Sequence, residues 1–179
     1  MRADARRNQQ RILAAARTQI TEHGSDVSMG QIAKAAGVAV GTLYRHYPTK
    51  TDLVRAVLTE FLEALVVWAE ASAASLRAPG DAMVRIETLL TDFMNEAALN
   101  QAVKEAAHAL GAVDIASEQA DRGQVALRAL VASAQADDDL RLNITADDLY
   151  LMMISAPTNL EKSARDRWLH ILVDGIRQP

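Results

Sequence analysis

The chain of 179 residues contains no cysteine. That absence excludes a disulfide framework, a thiolate metal site and a thiol nucleophile, and it suits a reducing cytosol. Proline and glycine are scarce, at four and eight residues, and Val, Ile and Thr do not gather in alternating runs. With alanine abundant, helices are favoured throughout. Long apolar runs are missing too: "ALVVWA" and "LYLMMISA" fall far short of the roughly 18 residues of a membrane span. The N-terminal "MRADARRNQQ" is charged where a signal peptide needs an apolar stretch. Half of the residues are apolar and 23% charged, a globular rather than a disordered composition. The expectation is a soluble, cytoplasmic, all-α protein.

What is present is unevenly charged. Residues 1–55 hold nine Lys/Arg (Arg2, Arg6, Arg7, Arg11, Arg17, Lys34, Arg45, Lys50, Arg55) against Asp4, Glu22, Asp26 and Asp52, a balance of +5. The overall charge of −4 therefore leaves −9 for the remainder. A basic N-terminal part on an acidic body points to a polyanion partner for that part alone.

Helical punctuation divides the chain. Asp4 is placed to cap a first helix that carries Ile12, Leu13, Ala16 and Ile20 and stops at Gly24. Ser28 and Gln31 have capping-box spacing, and Gly37 ends a second helix of about two turns. A third runs from Val40 to about Tyr47 ahead of Pro48, and Thr49 caps a long fourth with Val54, Leu58, Phe61, Leu65 and Trp68 along one stripe. Further helices follow through "DAMVRIETLLTDFMNEAAL", "QAVKEAAHAL", "IASEQADRGQVALRALVASAQA" and "ADDLYLMMISA", with Pro157 as a stop and a last helix from about Ala164 to Ile176. This reading gives about nine helices, a three-helix head at residues 1–50 and a larger body at 51–179.

The stretch "VAVGTLYRHYPTK", Val38 to Lys50, is too polar for simple core and too apolar for a loop. Two short helices crossing over a tight turn need the apolar and tiny residues Ile32, Ala33, Ala36, Gly37, Val38 and Leu43 where they stand. A helix-turn-helix of this kind lays its second helix in the DNA major groove. Leu43 and Tyr47 can face inward, leaving Val40, Gly41, Thr42, Tyr44, Arg45 and His46 outside. Arg45 can reach guanine O6 and N7, and Val40 or the Thr42 methyl can meet a thymine methyl. Tyr44 and His46 can donate to phosphate, and Lys50 stands at the next helix start, where a phosphate could also lie. Ser28 and Gln31, opening the preceding helix, are grouped with this DNA-binding set.

"IAKAAGV", "GTLYRHYPTK" and the Asp52-Leu53 pair resemble the DNA-binding segment of the tetracycline-repressor (TetR) family of bacterial transcription regulators, over roughly residues 8–58. The resemblance implies that Thr42, Tyr44, His46 and Lys50 hold the phosphate backbone while Val40, Gly41 and Arg45 lie nearer the bases. It also implies a homodimer on a double-stranded operator, a bundle of the last two helices of each chain, and a small-molecule effector bound in the body. One departure is Ala39, where relatives carry a capping Ser or Thr; such a cap contributes about 1 kcal/mol.

The residues offer an interface of their own. In the last helix Trp168, Leu172, Gly175 and Ile176, with Leu149, Met152 and Met153 on the helix before, cover more than one face. Gly175 in mid-helix costs around 1 kcal/mol against Ala, which makes sense where two helices cross closely. Candidates to line an effector pocket are Phe61, Leu65, Trp68, Phe93, Met94 and His108. Glu105 and His108 have the spacing of di-iron bundles, yet no second Glu-x-x-His exists, so no metal or cofactor is expected. No GxSxG is present, and the chain is not expected to be an enzyme. The alternative is a helical small-molecule- or metal-binding protein, or a bundle enzyme, without sequence-specific DNA binding.

Overall fold

The computed structural model describes residues 2–112 and 117–179, with side chains described for 6–112 and 119–179. Among the described residues it is all-α, with nine helices: α1 (Arg2–His23), α2 (Met29–Ala36), α3 (Val40–His46), α4 (Lys50–Ala74), α5 (Asp81–Leu99), α6 (Gln101–Ala109), α7 (Ser117–Ala136), α8 (Ala146–Ile154) and α9 (Lys162–Ile176). A 3₁₀ turn, Gly24–Asp26, joins α1 to α2. None of the described helices is long and apolar enough to cross a membrane.

Local chemistry sets most of these boundaries. Ser28 Oγ accepts from the Gln31 amide at 3.2 Å while Gln31 Oε1 accepts from the Ser28 amide at 2.8 Å. Thr49 and Asp52 repeat this reciprocal cap at the start of α4, each bond being 3.1 Å. Thr145 and Asp148 repeat it at α8. α8 then stops at Ile154, ahead of Pro157. Two starts differ from the sequence reading. α1 begins at Arg2, so Asp4 lies inside the helix rather than ahead of it, and α9 begins at Lys162.

The capping carboxylates make stability depend on pH. The Thr49 hydroxyl, then its backbone amide, hold Asp52 below the ordinary carboxylate range, and Thr145 does the same to Asp148. A carboxyl with a depressed folded pKa stabilises above its unfolded value and loses that contribution as pH falls through the folded one. Asp148→Asn is therefore expected to lower the melting temperature near neutrality and to flatten its decline below the usual carboxylate pKa. Thermal melts followed by circular dichroism across acid pH measure both effects.

The helices form two compact units. One comprises Met1–Leu62 and Leu99–Ala116, the other Glu63–Ala98 and Ser117–Pro179. In the first, Ile12, Ile20, Ile32, Leu43 and Leu53 are fully buried, each worth about 1.5–3 kcal/mol of apolar transfer. α6 belongs to this unit, packing on α1 and the 3₁₀ turn although α5 and α7 on either side of it lie in the other. It turns Val103, Ala106 and Ala107 inward.

The second unit is built around Met83, Ile86 and Leu89 of α5, Leu130 of α7, Leu149 of α8 and Ile176 of α9. Within this unit, Arg122 of α7 donates to Glu63 at 2.7 Å and to Glu70 at 2.7 and 2.9 Å, both on the later part of α4. These bonds hold Glu70 below its ordinary pKa and raise that of Arg122.

Candidate nucleic-acid interface

The helix-turn-helix is assembled from a few buried apolar and small residues of the first unit. α2 buries Met29, Ile32, Ala33 and Ala36. Gly37 then takes φ 62°, a left-handed conformation open to glycine at little cost. Its amide returns to the Ala33 and Lys34 carbonyls, and the Val38 amide to Ala33 at 3.0 Å. These bonds close α2 and start the turn.

α3 follows without a side-chain cap, as Ala39 dictates, and the Thr42 and Leu43 amides fold back to the Ala39 carbonyl. On its inner side Leu43 is wholly buried, and Tyr47, just beyond its end, is 7% exposed. Burial lifts the Tyr47 phenol above its ordinary pKa, so it stays neutral.

The opposite side of α3 is largely open to solvent. Val40 and Tyr44 are 45% and 47% exposed, Gly41 and Arg45 are exposed, and Thr42 and His46 are half-buried. A Cβ added to Gly41 would stand in open space, with no atom of the chain within 4 Å. The fold therefore does not require glycine there, and glycine is a poorer helix former than alanine, by up to about 1 kcal/mol in an interior and less in a first turn such as this. An outside surface approaching closely is a physical reason to keep it.

The flanking polar residues carry structural duties as well. Ser28 and Gln31 spend their capping atoms on each other, and the Ser28 hydroxyl also donates to Gln31 Oε1 at 2.8 Å. Both residues are exposed, so Gln31 Nε2 remains for an external acceptor. Lys50 Nζ donates to the Ser25 carbonyl of the 3₁₀ turn. An ammonium has three N–H groups, so this bond leaves donors free. No sequence signal announced it, because the turn's carbonyl direction depends on tertiary packing.

Three assignments from the sequence are corrected. His108 is exposed on α6, because the Val103, Ala106 and Ala107 face turns inward and leaves Glu105 and His108 outward; it does not line an enclosed pocket. Leu149 and Ile176 are 1% and 3% exposed, sealed in the second unit's core. They have no surface to offer a partner chain. Of the other pocket candidates, Phe61, Phe93 and Met94 are buried, and Leu65 and Trp68 half-buried.

α8 and α9 each show two distinct faces. Met152, Met153, Leu169, Leu172 and Val173 pack against the core. The outer side of α9 carries Ala164, Trp168, Ile171 and Gly175 at helical spacing, with Ile171 55% exposed and space around Gly175 open. Tyr150, Leu151 and Ile154 are exposed on α8 at 42%, 58% and 55%. The sequence reading passed over these three, although their i, i+1, i+4 spacing marks a second apolar face. Among the described residues no group of three metal-ligating side chains comes together.

The comparisons agree with this geometry. The family model described as bacterial regulatory proteins, tetR family, matches residues 12–57. An HTH-type transcriptional regulator of Staphylococcus aureus is 42% identical over 67 residues, covering 37% of this chain and 36% of that protein. The chain thus spans about a third of the length of the curated relatives it matches. Over the whole length, the chain is similar in structure to a TetR transcription regulatory protein from Mycobacterium vanbaalenii, with TM-score 0.73, 27% identity and 98% of each chain covered. A TetR transcriptional regulator from Streptomyces coelicolor gives TM-score 0.69 at 27% identity, covering 95% of this chain and 98% of the other. The matched head and the end-to-end likeness of fold agree: residues 12–57 match the model of the tetR family of bacterial regulatory proteins, and the whole chain is similar in fold to TetR regulators.

Proposed function

We propose that the chain is a cytoplasmic transcription regulator that binds double-stranded operator DNA as a homodimer and acts as a repressor released by a small-molecule inducer. The observation that carries this reading is α3: anchored inward by Leu43 and Tyr47, it offers Val40, Gly41, Tyr44 and Arg45 to solvent on a basic head. Arg45 supplies a bidentate donor for guanine, Val40 and Thr42 methyl groups for thymine, and Tyr44, His46 and Lys50 donors for phosphate. The DNA head comprises residues 1–50, with 51–179 serving effector binding and dimerisation.

Dimerisation is supported by the outer stripe of α9. A continuous apolar and small-residue face with a glycine at one end is suited to a second helix crossing closely. Met152, Met153 and Leu172 back this face from the core side. The inducer role asks only that a ligand favour one spacing of the two heads over the other. Phe61, Leu65, Trp68, Phe93 and Met94 remain its lining candidates.

Titration of the protein against its own upstream DNA tests the reading. A preference over bulk DNA is expected, with log affinity falling against log salt by about 0.9 for each phosphate neutralised. Equal affinity for all duplexes would favour a helical binding protein without operator recognition. Gly41→Ala separates the fold from the interface: helix propensity predicts a head more stable by up to about 1 kcal/mol, with weaker operator binding. Thermal unfolding and binding measured on one preparation check the opposite signs.

A further inference from the structure

α3 is short, lacks a side-chain cap, and is held from beneath by Leu43 and Tyr47. Its aim depends on the turn from Gly37 to Ala39. The backbone bonds to Ala33 and Lys34 fasten that turn to α2. A further fastening comes from α1, where Arg11 Nη2 donates to the Gly37 carbonyl at 3.2 Å. Arg11 thus reaches the turn from a helix outside the α2–α3 pair.

Two more observations concern the same guanidinium. It lies so close to Gly37 that a Cβ there would stand 2.5 Å from Nη2. It also lines an open groove of about 410 Å³ between α1 and the end of α2, whose other walls are Ala14, Ala15, Thr18, Gln19, Ala35 and Ala36. Ala14 and Ala15 of α1 and Ala35 and Ala36 of α2 keep that groove open beside Arg11. The end of α2 is also the negative end of its dipole, where a cation is favoured.

We infer that Arg11 is a positioning residue for α3: reaching from α1, it fixes the α2–α3 turn and hence the angle at which the outer face of α3 meets base edges. The inference rests on the DNA-binding reading above. It differs from the common use of arginine in a basic head, a phosphate contact, in what it predicts for salt.

The test compares Arg11→Met, which keeps the stem and removes the donors, with Arg11→Lys, which keeps a charged donor. For Arg11→Met, affinity for the upstream operator should fall about tenfold, the scale of one hydrogen bond from a charged group. Affinity for random duplex and the log–log salt slope should stay as in the wild type. Without DNA, amide exchange at Gly37 and Val38 should quicken, and Arg11→Lys should restore most of both properties. Gly37→Ala drives a methyl into the guanidinium, so in that background Arg11→Met should cost no further affinity. A salt slope shallower by about 0.9 would make Arg11 a phosphate contact and overturn the inference. Unchanged amide exchange would overturn it as well. A wild type with no operator preference overturns the regulator reading instead, and the exchange measurement, needing no DNA, tells the two failures apart.

Discussion

In the proposed dimer, Ile171→Glu is expected to give monomers and to weaken operator binding by two orders of magnitude or more. Ile171 is 55% exposed on the outer stripe of α9, between half-buried Trp168 and the open Gly175. Its replacement therefore leaves the core of Leu149, Leu130 and Ile176 intact. In a paired α9 face the new carboxylate would be buried without a partner, which costs roughly 3–5 kcal/mol. That energy is a factor of about a hundred or more in dissociation constant. Two linked heads bind a two-part site far more tightly than one, so loss of the dimer also removes most of the operator affinity. Sedimentation of the variant, followed by operator titration, reads both quantities. An intact dimer with wild-type operator affinity would place the interface elsewhere.

Leu43→Ala is expected to abolish DNA binding by another route. Leu43 is fully buried and is the one residue of α3 in the buried class. Truncating a buried leucine costs about 2–5 kcal/mol, a large share of the roughly 5–15 kcal/mol that holds an ordinary domain folded. The first unit should melt earlier and α3 should lose its seat, while the outer face of α9, in the second unit, is untouched. The variant is thus expected to remain dimeric by sedimentation, with no operator binding at concentrations where the wild type saturates. The pair of variants dissects the protein: one keeps the heads and loses the pairing, the other keeps the pairing and loses the heads. Operator binding by Leu43→Ala at wild-type affinity would show that α3 is not the reading element.

Much of this was legible in the amino acids because it is written locally. Ser28 with Gln31, Gly37, and Thr49 with Asp52 are signals spanning four residues or fewer, and the structure uses each of them as a helix boundary. Leu43 and Tyr47 could be placed inward from their four-residue spacing alone. The less legible features depend on contacts far along the chain. Nothing near Gln101 shows that α6 packs on α1 and the 3₁₀ turn, because its small inward face of Val103, Ala106 and Ala107 would suit either unit. His108 was misplaced for that reason. Leu149 and Ile176 were assigned to a partner because an apolar helix shows two apolar faces in sequence without saying which is already occupied. Lys50 and Arg11 each donate to a backbone carbonyl of a distant turn, and side-chain chemistry alone does not reveal such acceptors.

The absence of cysteine permits the most direct test of the central claim, that the outer face of α3 enters DNA grooves in two symmetric copies. Ala39→Cys, exposed at the start of α3, gives a single attachment point for a DNA-cleaving iron chelate, and Val84→Cys, 58% exposed on α5, gives a control in the body. On the upstream operator, the Ala39 conjugate should cut at two positions related by the operator's dyad and separated by whole turns of about 34–36 Å. The Val84 conjugate should leave those positions uncut. Cleavage scattered along the duplex, or identical cleavage from both conjugates, would contradict the account.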